Sequence, residues 1–511
     1  MDPPAYVRVA RCGGSARRTI RNVSTRVLVL SASIGAGHTM AADAVAAAFR
    51  TRHDVDEVAQ LDVMRTTNEV YRLLYDDGYF ALVKSVPWLV GWGYDKSDQP
   101  FNMARGLKAW DRINNLDTVR AIRDFAPTHV VCTHFLPLRI MSLLVSQGSL
   151  SCSVSAVTTD YDFQGLWLTG AFTRMFVARA ETRDHLVAIG VPERRVTVSG
   201  IPVRAEFDAP VDRSAVLRRY GLREHLPTVL VSAGAAGGDY VRAIVGQVQR
   251  VTVPHQTVVV CGRNAVLQAS IDAQTADDDA VRVLGYTTDM PDLLRAADLF
   301  VGKPGGLSSS ECMAVGLPMA LINPIPGQEV RNSDYLLEEG AAVRCNYETT
   351  VGAKIERMLA DPARLPAMSA AARHIGHPRA APQIAYDVLH DADQSLWITR
   401  SAQKAMLRVA EAGHPLENAV PKRTLAILTD AKTRMPVAVV TDDEVDRVDD
   451  FFDGRLRSGD DVFVSLDQLS RQDRLELRVR RKTDPHLLLV LRRLIGDRAG
   501  VGLTVERTAG V

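Results

Sequence analysis

Short apolar runs without polar alternation recur along most of the chain, separated by turns and helical spacings, and two of them, opening at Arg26 and Thr228, lead into a glycine loop and a helix. Arg26–Ser31 (RVLVLS) is the first such run, the pattern of a strand buried on both faces. Ser33-Ile34-Gly35-Ala36-Gly37-His38 then turns into an alanine-rich stretch, Thr39–Phe49, whose spacing predicts a helix. Further strands are expected at His129–Cys132, Ser153–Thr158, Arg174–Ala178 and Arg195–Ser199. The pattern restarts at Thr228–Ser232, where Gly234, Gly237 and Gly238 precede a helix from Asp239. It continues through Gln256–Cys261, Val281–Leu284, Leu299–Val301 and Met319–Ile322. This alternation predicts an α/β fold of two Rossmann-like, doubly wound parallel sheets in tandem. Pro202, within Ile201–Arg204, interrupts any helix and marks the joint. Ligand is expected in a cleft facing the carboxyl ends of both sheets.

The expected organisation is a basic flexible leader (1–24), a first Rossmann-like half (25–204), a second (205–379), a returning helix (380–398) and a small accessory α+β region (399–511). Strands in the last region are expected at Pro436–Thr441, Val462–Leu466 and Leu475–Arg480, before Leu487–Ile495. The leader carries Arg8, Arg11, Arg17, Arg18 and Arg21 but no apolar stretch of the kind a secretory signal needs. Basic and acidic residues nearly cancel, 61 against 60, so bulk charge gives no reason to expect a nucleic-acid partner. Cys12, Cys132, Cys152, Cys261, Cys312 and Cys345 are scattered and read as reduced thiols of a cytosolic protein. No run approaches the roughly 18 apolar residues of a spanning helix, and no His, Cys or carboxylate cluster has metal-ligand spacing.

The richest chemistry lies between Leu299 and Asn332. An apolar strand runs into Gly302, Lys303, Pro304, Gly305 and Gly306, and a helix is expected from about Ser308. Unpaired N–H groups and the positive dipole end at such a turn suit a phosphate. Glu311, just inside that helix, is poorly placed for phosphate and well placed to accept hydrogen bonds from sugar hydroxyls. One strand later, Pro324, Pro326, Gly327, Gln328 and Glu329 form a second polar turn. Diphosphate, ribose and another polyol point together to a nucleotide sugar. The earlier GAGH turn lacks the Lys-Ser or Lys-Thr of a P-loop and the third glycine of a dinucleotide fingerprint. What remains there is a helix start with His38 on its lip, a side chain suited to accepting a hydroxyl proton near neutral pH. For an isolated GxGH, a histidine that merely caps the helix is the plainer reading.

Seven segments occur in order: LSASIGAGH (30–38), CTHFLP (132–137), TTDYDFQGLW (158–167), VSGIPVRAEF (198–207), LGYTTDM (284–290), KPGGLSSSE (303–311) and NPIPGQEVRN (323–332). With these the chain, from about Arg26 to Asp393, resembles the diacylglycerol glycosyltransferase and monogalactosyldiacylglycerol synthase family. These are GT-B glycosyltransferases, related to the peptidoglycan lipid-intermediate N-acetylglucosaminyltransferases. The resemblance implies that Glu311 holds the ribose of UDP, and that N–H groups of Gly305, Gly306, Leu307, Ser308 and Ser309 hold the diphosphate. It places Tyr286, Thr287 and Met290 around uracil, Arg204 beside the nucleotide, and Gly35, Gly37, Gly234 and Gly237 in loops near the donor. Gln328 and Glu329 would bind the donor sugar. His38 and Asp160 fall on the acceptor side as candidates for the catalytic base, with His134 as a third polar group. The alternatives are a strand-end turn residue for Asp160 and a satisfied core histidine for His134.

Tyr71, Tyr75, Tyr79, Phe80, Trp88, Trp92, Tyr94 and Trp110 crowd one segment, interleaved with Lys84, Lys96, Arg105 and Lys108. Such a mixture suits a membrane interface, and the family uses this region for acceptor and membrane contact; an aromatic helical core stripe is the plainer alternative. The expectation is an inverting transferase moving a hexose from a UDP-hexose donor to a lipid hydroxyl, diacylglycerol first. It would need no cofactor or metal, and would sit as a cytoplasmic, peripheral protein on the anionic inner face of the cell membrane. An N-acetylglucosaminyltransferase on a polyprenyl-linked or lipopolysaccharide acceptor, a UDP-sugar epimerase and a non-catalytic UDP-sugar sensor are the rival expectations.

Overall fold

A computed structural model describes residues 24–66, 116–234, 240–391, 395–398, 402–403 and 406–407, with four further strands near the C terminus, 426–429, 436–439, 475–480 and 503–508. The first sheet contains β1 (Arg26–Ser31), β2 (Glu57–Asp62), β3 (His129–Cys132), β4 (Ser153–Val157), β6 (Arg174–Val177) and β7 (Val196–Val198). The short strand β5 (Ala171–Phe172) lies outside it. The spatial order is β2-β1-β3-β4-β6-β7, all parallel. The second sheet is built from β8 (Thr228–Ser232), β9 (Gln256–Val260), β10 (Val281–Leu284), β11 (Leu299–Gly302), β12 (Met319–Ile322) and β13 (Ala342–Cys345). Its order is β10-β9-β8-β11-β12-β13, again parallel. Purely parallel sheets need both faces covered, which is why β1, β8 and β11 are apolar without alternation.

Each sheet reverses its winding beside its first strand, between β1 and β3 in one half and between β8 and β11 in the other. Loops leaving the carboxyl ends of those strands diverge and open a crevice. The glycine turn after β1, the turn after β3, Gly234 after β8 and the Lys303–Gly306 turn after β11 all leave from these points. The apolar packing is continuous across the joint: Ala41, Tyr161 and Ala178 of the first half share a buried cluster with Leu307, Cys312 and Leu336 of the second.

The expectation of a returning helix over 380–398 is corrected. The helix spans Ala380–His390, and its Ile384, Ala385 and Val388 pack on Val27, Val29 and Phe49 of the first half. It stops because Asp391 has left helical geometry (φ −71°, ψ 107°) and its carboxylate is held by Arg174 at 2.8 Å. The chain then re-extends as β14 (Leu396–Ile398), which pairs antiparallel with β5 through Leu396↔Phe172 and Trp397↔Ala171. β15 (Ala426–Thr429) and β16 (Pro436–Val439) continue that sheet, and β17 (Leu475–Arg480) pairs with β18 (Leu503–Thr508) in parallel. The expected strands Val462–Leu466 and Leu487–Ile495, the leader, and the aromatic segment Tyr71–Trp110 with Tyr79, Trp88 and Trp92 lie outside the described residues. Among the described residues no helix is long and apolar enough to cross a membrane.

Candidate active site between the two halves

The helix Gly306–Val315 starts two residues earlier than the sequence pattern indicated, directly on the glycine turn. Its N-cap, Gly305, has no side chain to offer, so the N–H groups of Gly306, Leu307 and Ser308 face outward as donors; the first intrahelical return is Ser309 N–H to the Gly305 carbonyl at 2.9 Å. Glycine is demanded at 306 by a close approach: a Cβ there would collide with the carbonyl of Thr159 from the opposite half. Glu311 is buried at 5% exposure, and that burial pushes its carboxyl up to about 7, opposed by the nearby Arg204. The Arg204 guanidinium lies 5.6 Å from the Phe207 ring with its Nε buried and unpartnered, and the Ser309 hydroxyl is also buried without a partner. Buried polar atoms without partners carry a desolvation cost that a polar ligand relieves.

Tyr286 and Thr287 stand on the loop after β10, and Met290 opens the helix Met290–Ala296. Tyr286 is 63% exposed with the Arg263 guanidinium 4.8 Å from its ring centre, forming a flat cationic-aromatic platform. Gly234 has a left-handed backbone (φ +70°), which admits glycine without strain, and its N–H donates to Ser232 Oγ at 3.3 Å. Gly237 lies outside the described residues. Gln328 and Glu329 begin the helix Gln328–Glu338 behind Gly327 (φ +92°). Glu329 accepts the Ile325 N–H at 2.7 Å; its carboxyl is pushed up by burial and pulled back by that bond and by Lys303.

On the opposite lip Gly35 (φ +83°) is the N-cap of the helix Ala36–Arg50, so Gly37 and His38 sit in its first turn. A Cβ on Gly37 would lie 3.6 Å from Leu307 Cδ2, which puts the turn carrying His38 against the start of the phosphate-type helix. His38 does not cap its helix. Its Nδ1 lies 3.0 Å from the Thr133 carbonyl and 2.8 Å from Thr159 Oγ1. A carbonyl only accepts, so Nδ1 carries the proton and Nε2 keeps a lone pair. Burial lowers the imidazole pKa against the opposing pull of Asp160 and of the Thr133 bond, so the ring is neutral near pH 7 and basic at Nε2.

His134 is the capping histidine. Its Nδ1 accepts the Leu136 N–H at 3.1 Å at the start of the helix Phe135–Ser146, and burial, then His38 and Arg139, hold it well below its ordinary pKa. Its ring packs edge-on to His38 at 4.5 Å and against Phe135 at 4.2 Å. The geometry at 134 is that of a satisfied, buried histidine that braces His38.

Asp160 is 8% exposed and burial raises its pKa, countered by the Gln328 amide, His38 and the Asn332 amide, and reinforced by Asp162. It therefore interacts with both sides: its charge acts on His38 of its own half, and it accepts hydrogen bonds from Gln328 and Asn332 of the other. Neighbouring Tyr161 also crosses the cleft, its hydroxyl 2.6 Å from Ser310 Oγ and 3.1 Å from the Gly306 carbonyl. Sequence reasoning assigned no role to Tyr161, Thr133, Thr159, Arg263 or Asn332. The four-residue spacing of Gln328 and Asn332 on one helix face was the available signal for the last. Among the described residues no group of three His, Cys, Asp or Glu could hold a metal ion.

Comparison with known proteins gives two family matches in succession. Residues 38–203 match the monogalactosyldiacylglycerol synthase family, and residues 228–384 match the C-terminal domain of family 28 glycosyltransferases. A processive diacylglycerol beta-glucosyltransferase of Bacillus cereus is 29% identical over 375 residues, covering 71% of this chain and 93% of its own. The enzyme of that name from Staphylococcus saprophyticus is 28% identical over 355 residues, covering 67% and 87%. In fold, the chain is similar to MurG of Acinetobacter baumannii, with a TM-score of 0.50 and 16% identity over 71% of this chain and 99% of that one. With both halves matched in order, the chain carries a monogalactosyldiacylglycerol synthase family domain followed by the C-terminal domain of family 28 glycosyltransferases.

Proposed function

We propose that this protein is an inverting glycosyltransferase that moves a hexose from a UDP-sugar to the free hydroxyl of diacylglycerol. The observation that carries the reading is the opposition, across a gap closed by Gly37 and Leu307, of a basic His38 Nε2 and an uncapped helix start backed by buried Glu311. In this reading Glu311 accepts the ribose hydroxyls, and Tyr286 with Thr287 and Met290 covers uracil. The Gly306, Leu307 and Ser308 N–H groups and Arg204 take the diphosphate, whose negative charge grows as the bond from the anomeric carbon to the phosphate oxygen lengthens. Gln328 and Glu329 orient the sugar. The acceptor oxygen loses its proton to His38 Nε2 as it attacks the opposite face of the anomeric carbon. An α-linked UDP-sugar then yields a β-linked glycolipid and UDP.

The half 25–204 serves the acceptor and the membrane, and 205–379 serves the donor. Diacylglycerol resides in a bilayer, so the enzyme works at a membrane surface, with Tyr79, Trp88 and Trp92 as contact residues and UDP-hexose supplied from the cytoplasm. The test is incubation of purified protein with UDP-glucose, UDP-galactose or UDP-N-acetylglucosamine and diacylglycerol vesicles, with products identified by mass spectrometry and anomeric NMR. A β-hexosyl diacylglycerol is expected. Transfer only to a polyprenyl phosphate carrier, or epimerised donor with no lipid product, overturns the reading.

A further inference from the structure

Asn332 has no exposed surface, and its amide makes three bonds inside the interface between the halves. Oδ1 accepts the Tyr161 N–H at 3.0 Å, and Nδ2 donates to Asp160 Oδ1 at 3.2 Å and to the Pro304 carbonyl at 3.2 Å. The amide orientation is fixed by its partners, because a backbone N–H only donates and a carbonyl only accepts. Two of these partners belong to the first half; the third, Pro304, lies just before the N-cap of the phosphate-type helix. One turn earlier on the same helix face, Gln328 hydrogen-bonds the same carboxylate. The helix that opens with the donor-sugar residues therefore grips, one turn on, the acidic residue that faces His38.

We infer that Asn332 is a positioning residue that couples closure of the donor half to the orientation of Asp160 beside His38. The inference deepens the proposed transferase activity and rests on it. When the halves are apart, Asp160 loses two amide donors supplied by the other half. When they meet, Asn332 sets the carboxylate and the phosphate turn in one move, so the acceptor-side base is aligned only over a closed donor site. The hydrogen bonds of Asn332 go to Tyr161, Asp160 and Pro304, so its effect is expected mainly in turnover and less in nucleotide affinity.

The test is a double-mutant cycle with Asn332→Ala and Asp160→Asn in the full chain, reading kcat, the donor KM, UDP affinity by calorimetry and the melting temperature. Loss of hydrogen bonds to a charged group is expected to lower kcat of Asn332→Ala by about tenfold or more. The UDP dissociation constant is expected to rise far less than kcat falls, since Glu311 and the uracil loop keep their contacts and only the Pro304 bond to the phosphate turn is lost. The double variant is expected to be no slower than Asp160→Asn alone, because the two losses share one cause. Multiplicative losses in kcat, or an unchanged kcat in Asn332→Ala, overturn the inference. Should Asn332→Ala fail to fold, the exchange Asn332→Asp with Asp160→Asn restores a donor–acceptor pair across the interface. The Pro304 carbonyl stays without its donor in that exchange, so it is expected to recover only part of the melting temperature while turnover stays at the Asp160→Asn level; recovery of full turnover makes Asn332 a tether only. If the wild-type protein transfers no sugar, the proposed activity fails by itself. The inference then stands or falls on stability, where additive melting shifts show that the two residues are not coupled.

Discussion

Lowering the pH from 8 to 5 is expected to weaken donor binding through one side chain, Glu311. Its carboxyl titrates at about 7 in the folded protein because burial disfavours the charge, with Arg204 only partly offsetting this. A carboxylate accepts hydrogen bonds from both ribose hydroxyls, whereas the protonated acid has a hydrogen in the way of one. Binding at pH 5 must first remove that proton, two units below the titration point. At about 1.4 kcal/mol per unit this costs about 2.7 kcal/mol, or roughly 100-fold in affinity relative to pH 8. UDP-glucose is the better probe than UDP, since its diphosphate diester does not titrate in this range. Calorimetry in two buffers of different ionisation enthalpy should show close to one proton released per site at pH 5 and almost none at pH 8. His38, Asp160 and Glu329 also have shifted pKa values, and Glu311→Gln serves as the control that retains them. That variant should bind more weakly at pH 8, by about 1.5–3 kcal/mol for a charge-assisted bond lost, with most of the pH dependence gone. Stability runs the other way. A carboxyl raised from 4.5 to about 7 binds more protons folded than unfolded between those values, so ionisation above pH 7 opposes folding by about 3 kcal/mol. Glu311→Gln should therefore melt higher than wild type at pH 8 and equally at pH 4. A wild-type affinity that is flat from pH 5 to 8, or the same slope in Glu311→Gln, refutes the ribose role.

Three further outcomes are expected. His38→Ala should lower kcat by about 100- to 10,000-fold, the range for a lost general base, while UDP affinity in calorimetry is unchanged; a matching loss of affinity would move His38 from catalysis to binding. Gly306→Ala should force Thr159 away from the phosphate-type helix, raising the donor KM and lowering the melting temperature, and wild-type values for both would refute the close approach. His134→Ala should cost about 1 kcal/mol of stability through the lost cap, with activity falling only as far as His38 shifts. Since His134 is held neutral well below its ordinary range, it should add no limb to the pH–rate profile.

The central strands were legible because they are apolar on both faces; β17, near the C terminus, emerged at its observed bounds. The edges were not. β2 (EVAQLD) and β13 (AVRC) carry polar residues on faces that a sheet edge leaves partly open, so neither shows a buried-strand pattern. The helix ending at His390 was overextended because the segment beyond it continues a helical spacing, and what stops it is an ion pair to Arg174, distant in sequence. At the site, the place of the glycine turn and of Glu311 just inside the helix could be read from local order, since glycine and a change of spacing mark a helix start. Motif order brought His38 and Asp160 to the cleft, but not the tautomer of one or the partners of the other. Those depend on Thr133, Thr159 and Asn332, whose contacts span 95 to 172 residues of chain.

Among the described residues, two crossings of the chain between the halves also bear on how the enzyme can move. One runs through Gly200 and the other through His377, and they touch: a Cβ on Gly200, held at φ +76°, would strike the His377 ring. Two adjacent covalent tethers behave as a pin. They resist sliding and twisting of one half over the other and leave rotation about the line joining them as the soft coordinate. Gly306 lies close to that pin, since a Cβ on it would stand 3.3 Å from Ile201 Cδ1, so a turn at Gly200 passes to the glycine turn at short range. Bulk added at the pin should therefore act on the rate of opening and product release even though it lies outside the chemistry.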